Sequence, residues 1–300
     1  MINELKTFIA VVEYKNFTKA AEAINLSQPS VSLHIKHLEE YFNIILIQRS
    51  VKQKTISITQ AGNLLYERSK QIIKLLEDTK SELMAYTNTV QGKLHIGASF
   101  TIGEYFLPAF LGQFAKKYPD LELEVTIENT HNICKKVKNF EVDLALIEGS
   151  VPSSDFIKEP FYKDKMALAV PYNHYLVNRE FSIEELQNQT WISREEGSGT
   201  RDYLNLFLSS NNINPKNIIV FGSNYSVKEA VKNNLGITFI SSFVTKNSLT
   251  HKEISILNTN QEYTRHFSYI LQEGNIPSKG TLVFIDMLKS YAKTMDTYNS

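Results

Sequence analysis

A single cysteine in a chain of 300 residues rules out an internal disulfide framework and any cysteine-built zinc finger, and it suits a reducing, cytoplasmic setting. Cys134 reads as a small, partly buried apolar residue rather than a redox sensor. No apolar run is long enough to cross a membrane. The N-terminal stretch MINELKTFIAVVEYKNF carries Glu4 and Glu13 and lacks a small-residue cleavage site, so it does not read as a secretion signal. An excess of charge of either sign is also missing. The 32 basic residues are matched by 32 acidic ones, so any nucleic-acid surface must be a local basic face. Catalytic motifs are absent too. The histidines (His34, His37, His95, His131, His174, His251 and His266) form neither HExxH nor a compact metal set. Ser198 in EGSGT has no recognisable base and no nucleophile-elbow flanks. No phosphate-loop lysine or dinucleotide glycine fingerprint occurs. These absences argue against an enzyme, a metal centre and a bound cofactor.

Most of the information lies in FTKAAEAINLSQPSVSLHIKHLEE, residues 17–40. Phe8, Ile9, Val11 and Val12 predict a first short amphipathic helix. Thr18 can cap a second, with Ala20, Ala21 and Ile24 inside. Adjacent alanines allow two helices to cross closely. Leu26 plugs the turn, Ser27 is a candidate N-cap, and Pro29 suits the first turn of a third helix running to about Tyr41. Val31, Ile35 and Leu38 give that helix its inner stripe. Its outer face carries Gln28, Ser30, Ser32, His34, Lys36 and His37, which could reach base edges and phosphates or simply be solvated. The following RSVKQKTISIT has Arg49, Lys52 and Lys54 and no acid, and Ile56 and Ile58 alternate with Ser57 and Thr59 as in a strand. A basic hairpin beside a polar helix has a direct use at DNA phosphates.

From Thr59 to about Asn88 there is no proline, and Gly62 is the only glycine. Leu65, Ile72, Leu76, Leu83 and Tyr86 recur at spacings of three and four, a coiled-coil seam with weak positions at Ser69 and Thr79. Such a helix needs a partner, either another copy or the rest of its own chain.

After Gly92, short apolar runs alternate with helical stretches, which predicts an α/β domain with several parallel strands. Candidate strands are Leu94–Ala98, Leu121–Ile127, Asp143–Ile147, Met166–Val170, Ile218–Phe221, Ile237–Ser241 and Phe267–Leu271. Candidate helices are Tyr105–Lys117, Ile133–Lys138, Ser182–Leu186, Asp202–Ser210, Ser226–Asn233 and Lys279–Tyr291. Two lobes are expected, with chain crossings near Phe161–Met166 and Glu262–Phe267 that make a hinge and a cleft. Three constellations point into that cleft. Ser99 and Thr101 lie just after the first strand and before a helix, where an anion is favoured, although both could be simple caps. Glu196-Gly197-Ser198-Gly199-Thr200-Arg201 offers a tight turn, backbone amides, hydroxyls and a fixed charge, or alternatively a generic loop and cap. Ser223-Asn224 stands before a third helix. Glu148 closes the strand Asp143–Ile147, where it could gate the cleft or pair with Arg201.

The N-terminal segment resembles the winged helix-turn-helix of LysR-type transcriptional regulators. The matching residues are Phe8, Phe17, Thr18, Ala20, Ala21, Leu26, Ser27, Gln28, Pro29, Ser30, Ser32, Ile35, Leu38, Glu39, Leu46, Arg49, Thr59, Ala61 and Gly62. Two features depart from the family: Leu33 stands where a polar or basic residue is common, and the stretch from Arg49 to Thr59 is slightly long. The resemblance extends over nearly the whole chain. It implies a winged helix-turn-helix over 1–58, a linker and dimerisation helix over 59–91, and a periplasmic-binding-protein-like α/β effector domain over 92–300. Lobe I would comprise about 92–163 and 268–300, and lobe II about 164–267. It places Gln28, Pro29, Ser30 and Ser32 at the start of the recognition helix and Arg49 at the wing base. Together with the residue reading, the DNA-binding set is Thr18, Gln28, Pro29, Ser30, Ser32, His34, Lys36, Arg49, Lys52 and Lys54. The effector set is Ser99, Thr101, Glu148, Ser198, Gly199, Thr200, Arg201 and Asn224. Leu65, Ile72, Leu76 and Leu83 form the dimerisation seam.

Within the family, GKLHIGAS, the Glu148-Gly149 pair and Gly197-Ser198-Gly199-Thr200-Arg201 look most like the branch that regulates sulfur assimilation and carbon fixation. The resemblance then implies a small anionic or polar effector: sulfate, sulfite, O-acetylserine, a small carboxylate or another carbon metabolite. It implies promoter DNA, further copies of the chain in a dimer or tetramer, and RNA polymerase as partners, with no membrane. The alternative from another class, a solute-binding protein with an accidental helical extension, would need an export signal that the N-terminus does not provide.

Overall fold

In a computed structural model the chain divides into two compact units, Met1–Tyr86 and Thr87–Ser300. The structure describes residues 1–50, 55–85, 90–151, 155–259 and 261–299.

The first unit begins with three helices, α1 (Ile2–Tyr14), α2 (Phe17–Ala23) and α3 (Gln28–Phe42). Asn16, and not Thr18, caps α2: its side chain accepts from the amides of Thr18 and Lys19. A carboxamide one position upstream is placed to meet both orphan N–H groups. Ser27 caps α3, accepting from the Ser30 amide, with proline in the first turn. Ala20 and Ala21 are buried where α2 meets α1 and α3, alongside Phe8, Val11, Val31, Ile35 and Leu38. A hairpin of β1 (Ile47–Ser50) and β2 (Thr55–Ile58) follows, pairing Ile47 with Ile58 and Arg49 with Ile56.

Family-signature residues hold this hairpin to the helices. Glu39 Oε1 accepts from the amides of Leu46 (2.8 Å) and Ile47 (3.1 Å). Thr59 Oγ1 donates to the carbonyl of Ile45 and accepts from the Gly62 amide at 2.9 Å, capping α4 (Gln60–Ala85). Gly62 must be glycine, because a Cβ there would lie 2.3 Å from the Leu46 carbonyl oxygen.

The second unit is built on a mixed sheet ordered β10-β6-β11-β5-β3-β4, with β9 also pairing β6. The strands are β3 (Gly92–Ser99), β4 (Leu121–Glu128), β5 (Leu144–Glu148), β6 (Phe156–Pro171), β9 (Thr238–Ser241), β10 (Ile254–Leu257) and β11 (Tyr263–Gln272). A parallel pair, β7 (Thr190–Arg194) and β8 (Asn217–Phe221), extends the second lobe through a bridge from Trp191 to Ile237. Strand β3 is parallel to both β4 and β5. From Ile96 to Ser99 it is buried without interruption, as suits a strand covered on both faces. The helices are α5 (Leu107–Lys117), α6 (Thr130–Lys138), α7 (Gly199–Ser210), α8 (Asn224–Lys232), α9 (Ser242–Thr250) and α10 (Lys279–Asn299). A π-helical turn, Ile102–Phe106, leads into α5, and a 3₁₀ turn covers Ile183–Leu186.

Each lobe has a large apolar core, with smaller clusters beside it. One large core collects Leu94, Ile96, Phe106, Phe110, Phe114 and Phe284. The other collects Trp191, Leu204, Phe207 and Phe239, with the rings of Phe207 and Phe239 stacked 4.4 Å apart. The expected crossings at Phe161–Met166 and Glu262–Phe267 fall on β6 and β11, which run antiparallel to each other from one lobe to the other. Their register shifts between Phe267 and Ser268. A bulge at that point bends the ladder where the lobes meet.

Candidate functional site

On α3, the exposed residues Gln28, Pro29, Leu33, Lys36 and His37 alternate with the buried stripe of Val31, Ile35 and Leu38. Thr18 is exposed on α2. Several of these polar groups engage their own helix. Gln28 Nε2 donates to Ser32 Oγ at 2.9 Å, Ser30 Oγ lies 2.8 Å from Ser27 Oγ, and Lys36 pairs with Glu40 at 3.5 Å. His34 departs from the expected outward face. Its half-buried ring places Nδ1 2.8 Å from Thr7 Oγ1 on α1. The Thr7 proton is given to the Asn3 carbonyl at 2.8 Å, which leaves the hydroxyl as acceptor for the His34 ring. His34 therefore ties α3 to α1 and positions the helix. Arg49 sits in β1, while Lys52 and Lys54 lie outside the described residues.

The helix α4 divides the expected seam. Leu65 packs against the core of its own unit and Ser69 is buried, while Tyr66 and Lys70 reach Glu13 of α1. The seam's first half is therefore covered by α1. Ile72, Leu76 and Leu83 remain exposed, as do Leu64 and Leu75. Tyr86 lies outside the described residues.

In the second unit, one buried polar network spans the two lobes. Ser99 ends β3, Thr101 opens the π-helical turn and Glu148 ends β5. The Ser99 hydroxyl donates to Glu148 Oε2, and Thr101 Oγ1 donates to Glu148 Oε1 at 3.0 Å. Thr101 Oγ1 also accepts from Asn224 Nδ2 at 3.0 Å and from Arg265 Nη2 at 3.1 Å. From β11, Arg265 further donates through Nη1 to Thr200 Oγ1 (3.1 Å) and through Nε to Asp164 Oδ2 (2.7 Å). Ser241 donates to the other Asp164 oxygen at 2.8 Å. At the end of β7, Arg194 donates through Nη1 to Asn224 Oδ1 at 2.7 Å, and through Nε and Nη2 to the two oxygens of Glu195. Its guanidinium lies 4.5 Å over the Phe100 ring, a cation–π placement.

Burial pushes the Asp164 carboxyl up, against the opposing pull of Arg265. Burial also raises the Glu195 carboxyl, but hydrogen bonds and charge from Arg194 outweigh it and hold the group below its ordinary range. A fully desolvated arginine–carboxylate pair persists best when its remaining nitrogens are also partnered, and each nitrogen of the Arg265 guanidinium donates one hydrogen bond.

Six of the expected effector residues come together: Ser99, Thr101, Glu148, Thr200 and Asn224 within the network, and Ser198 as a buried N-cap of α7. One expectation is corrected. Arg201 does not pair with Glu148; it donates to the Arg194 carbonyl at 3.2 Å and approaches exposed Glu196 at 3.8 Å. The cation facing Glu148 is Arg265, at 3.9 Å. Gly199 is a contact between the lobes, since a Cβ there would lie 2.2 Å from the Glu148 carbonyl oxygen. No side chain can stand between α7 and the end of β5.

The sequence reading missed Arg194, Arg265, Asp164 and Ser241. Arg194 ends a strand that was not expected, and TWISR, an apolar run closed by an arginine, was the available signal. Among the described residues, no cluster of three or more histidine, cysteine, aspartate or glutamate side chains could hold a metal ion, and no helix is long and apolar enough to cross a membrane.

Known proteins agree in both units. The family model described as "Bacterial regulatory helix-turn-helix protein, lysR family" matches residues 2–63, and the one described as "LysR substrate binding domain" matches residues 87–293. The chain is 49% identical over 288 residues to the HTH-type transcriptional regulator CysL of Bacillus subtilis, covering 95% of this chain and 96% of that one. It is 33% identical over 296 residues to a probable RuBisCO transcriptional regulator of Phaeodactylum tricornutum, covering 96% of each. Among solved structures it resembles the CcmR regulatory domain of Synechocystis PCC6803 in complex with 2-PG, with a TM-score of 0.64 at 26% identity over 68% of this chain and 99% of that one.

Proposed function

The chain belongs to the LysR family of transcriptional regulators, with a helix-turn-helix unit and an effector-binding unit, and from that membership we propose that it adjusts sulfur-assimilation genes to a small polar metabolite held between its lobes. The observation that carries the effector reading is Thr101. One hydroxyl on lobe I binds Glu148 of its own lobe, Asn224 of the other lobe and Arg265 of the crossing strand β11. A ligand that exchanges any of these bonds changes how the lobes meet, and so biases their closure. CcmR carries 2-PG in a domain of this fold, which supports a small ligand for this unit as well. Sulfate, sulfite, O-acetylserine and small carboxylates are the candidates.

Sulfur assimilation is favoured over carbon fixation by the higher identity to CysL, 49% against 33% for the RuBisCO regulator. The exposed leucines of α4 support pairing of two copies, and a pair presents two recognition helices to two half-sites of one promoter. Two pairs joined through their second units would make a tetramer. The complex acts in the cytoplasm on promoter DNA, in reach of RNA polymerase. Gln28, Pro29, Ser30 and Ser32 would read bases from the first turn of α3, and Thr18, Lys36, Arg49, Lys52 and Lys54 would hold phosphates.

The regulon is tested by incubating the purified protein with fragmented genomic DNA of its own source and sequencing what is retained. Enrichment upstream of sulfate-reduction and cysteine-synthesis genes is expected. Enrichment confined to carbon-fixation or unrelated operons would overturn the sulfur assignment and leave the family membership untouched.

A further inference from the structure

The groups lining the cleft do not make a simple anion cradle. Arg265 is matched by Asp164 through Nε, and Arg194 is matched by Glu195 through Nε and Nη2. With both arginines paired, Glu148 remains as an additional buried acid, 3.9 Å from Arg265 and fixed by the Ser99 and Thr101 hydroxyls. Those two hydroxyls are the groups the sequence offers to an anion, and a carboxylate of the chain already holds them. A sulfate entering there would have to displace Glu148 and then lie beside it, and like charges in a buried site repel strongly.

The remaining edges of the two arginines differ in kind. Arg194 Nη1 ends on the Asn224 amide oxygen, and Arg265 Nη1 and Nη2 end on the Thr200 and Thr101 hydroxyls. These acceptors are neutral. A ligand carboxylate replacing one of them gains a charge-assisted bond, while Asp164 and Glu195 continue to orient the guanidinium groups. The cleft thus presents two oriented cationic edges and one oriented carboxylate, connected through Thr101.

We infer that the cleft selects a zwitterion, an α-amino acid or a close derivative, whose ammonium group pairs with Glu148 and whose carboxylate displaces the neutral acceptors Asn224, Thr200 or Thr101 from the edges of Arg194 and Arg265. This rests on the reading that the effector binds between the lobes, and it narrows that reading to one ligand class. Glu148 becomes the residue that rejects plain anions, because Arg265, its facing cation at 3.9 Å, already bonds Asp164, and a ligand bringing its own positive charge adds the closer partner.

The test is isothermal titration calorimetry on the full-length protein. O-acetylserine and N-acetylserine are constitutional isomers, and the first carries an ammonium where the second has a neutral amide. The common amino acids with their N-acetyl counterparts, and sodium sulfate, complete the panel. The tightest amino acid is expected to bind at least about tenfold better than its N-acetyl counterpart and better than sulfate, as expected for one charge-assisted bond. In Glu148→Gln that ratio falls to about one, because the charge is removed and the shape kept. In Glu148→Asp a preference for the ammonium form survives, which keeps the comparison informative if the glutamine variant folds poorly.

Equal binding of the paired compounds by the wild type, tighter binding of sulfate than of any amino acid, a ratio unchanged in Glu148→Gln, or no heat from any amino acid would each overturn the inference. Thr200→Ala separates this from the broader reading. Binding of any compound that is weakened by Thr200→Ala but indifferent to Glu148 keeps the effector in the cleft and rejects the zwitterion. Binding indifferent to both rejects the cleft itself.

Discussion

Gly199, the first residue of α7, lies against the backbone carbonyl of Glu148 so closely that a Cβ would stand 2.2 Å from its oxygen. Gly149 meets the same glycine, with a would-be Cβ 2.8 Å from the Gly199 Cα, and its own φ is +98°. At this point one lobe touches the other backbone to backbone, beside the side-chain bond from Asn224 to Thr101. Gly199→Ala should push α7 away from β5 and break the Thr200–Arg265 bond. Overpacking of this kind costs about 1–3 kcal/mol. Urea unfolding would register it as a lowered midpoint, and calorimetry as weakened effector binding. Unchanged stability and affinity would contradict a tight contact between the lobes.

Leu33 is 49% exposed on the outer face of the recognition helix, while Gln28, His34 and Lys36 near it are already engaged. An apolar group in the major groove has one specific partner, the thymine methyl. A selected binding site in which thymines are replaced one at a time by deoxyuridine should reveal a position where loss of the methyl weakens wild-type binding about fourfold, the worth of roughly one buried methyl group. Leu33→Ala should bind the two DNAs equally. A uridine effect that persists in Leu33→Ala would assign the methyl to another residue.

The linker helix supplies a third expectation. Leu76 and Leu83 are exposed, whereas Leu65 packs on its own unit. Leu76→Glu and Leu83→Glu should shift the protein toward monomer in analytical ultracentrifugation, since each would put a buried charge in a paired seam. Leu65→Ala should leave the oligomer intact and destabilise the first unit by about 2 kcal/mol. Dimers that persist in both glutamate variants would move the interface away from α4.

Much of the fold was readable because its signals are local. Ser27 and Pro29 announce α3, alternation announces β2, Leu94, Ile96 and Ala98 at alternate positions announce β3, and a continuous apolar run announces β5. The missed parts are those whose pattern is set by distant partners. FIKEPFYKDK, the first part of β6, is rich in charge because its outer positions face solvent while β11 pairs with its edge. Half of the cleft was legible as hydroxyls and glycines placed before helices. Its charged half was not, because Arg265 meets Asp164 across 101 residues and Thr101 across 164, separations that no local pattern encodes. The Leu65–Ser69 part of the seam was misassigned for a related reason: spacing identifies a stripe but does not say that α1 covers its first half.

Burial pushes the Cys134 thiol up to about 12. At pH 8 the reactive thiolate is then a very minor form. The native protein should release no colour from Ellman's reagent over an hour, and one thiol per chain in guanidinium. Rapid reaction of the native protein would contradict the burial of Cys134 and reopen oxidant sensing through it.

The central claim is that a ligand between the lobes changes how the recognition helices engage DNA. DNase I footprinting on a promoter retained by the protein, with and without the tightest calorimetric ligand, tests it most directly. The footprint should shift or shorten on ligand addition in the wild type and stay fixed in Thr200→Ala, which keeps the DNA-binding unit intact. A footprint that is the same with and without a ligand known to be bound would contradict the account.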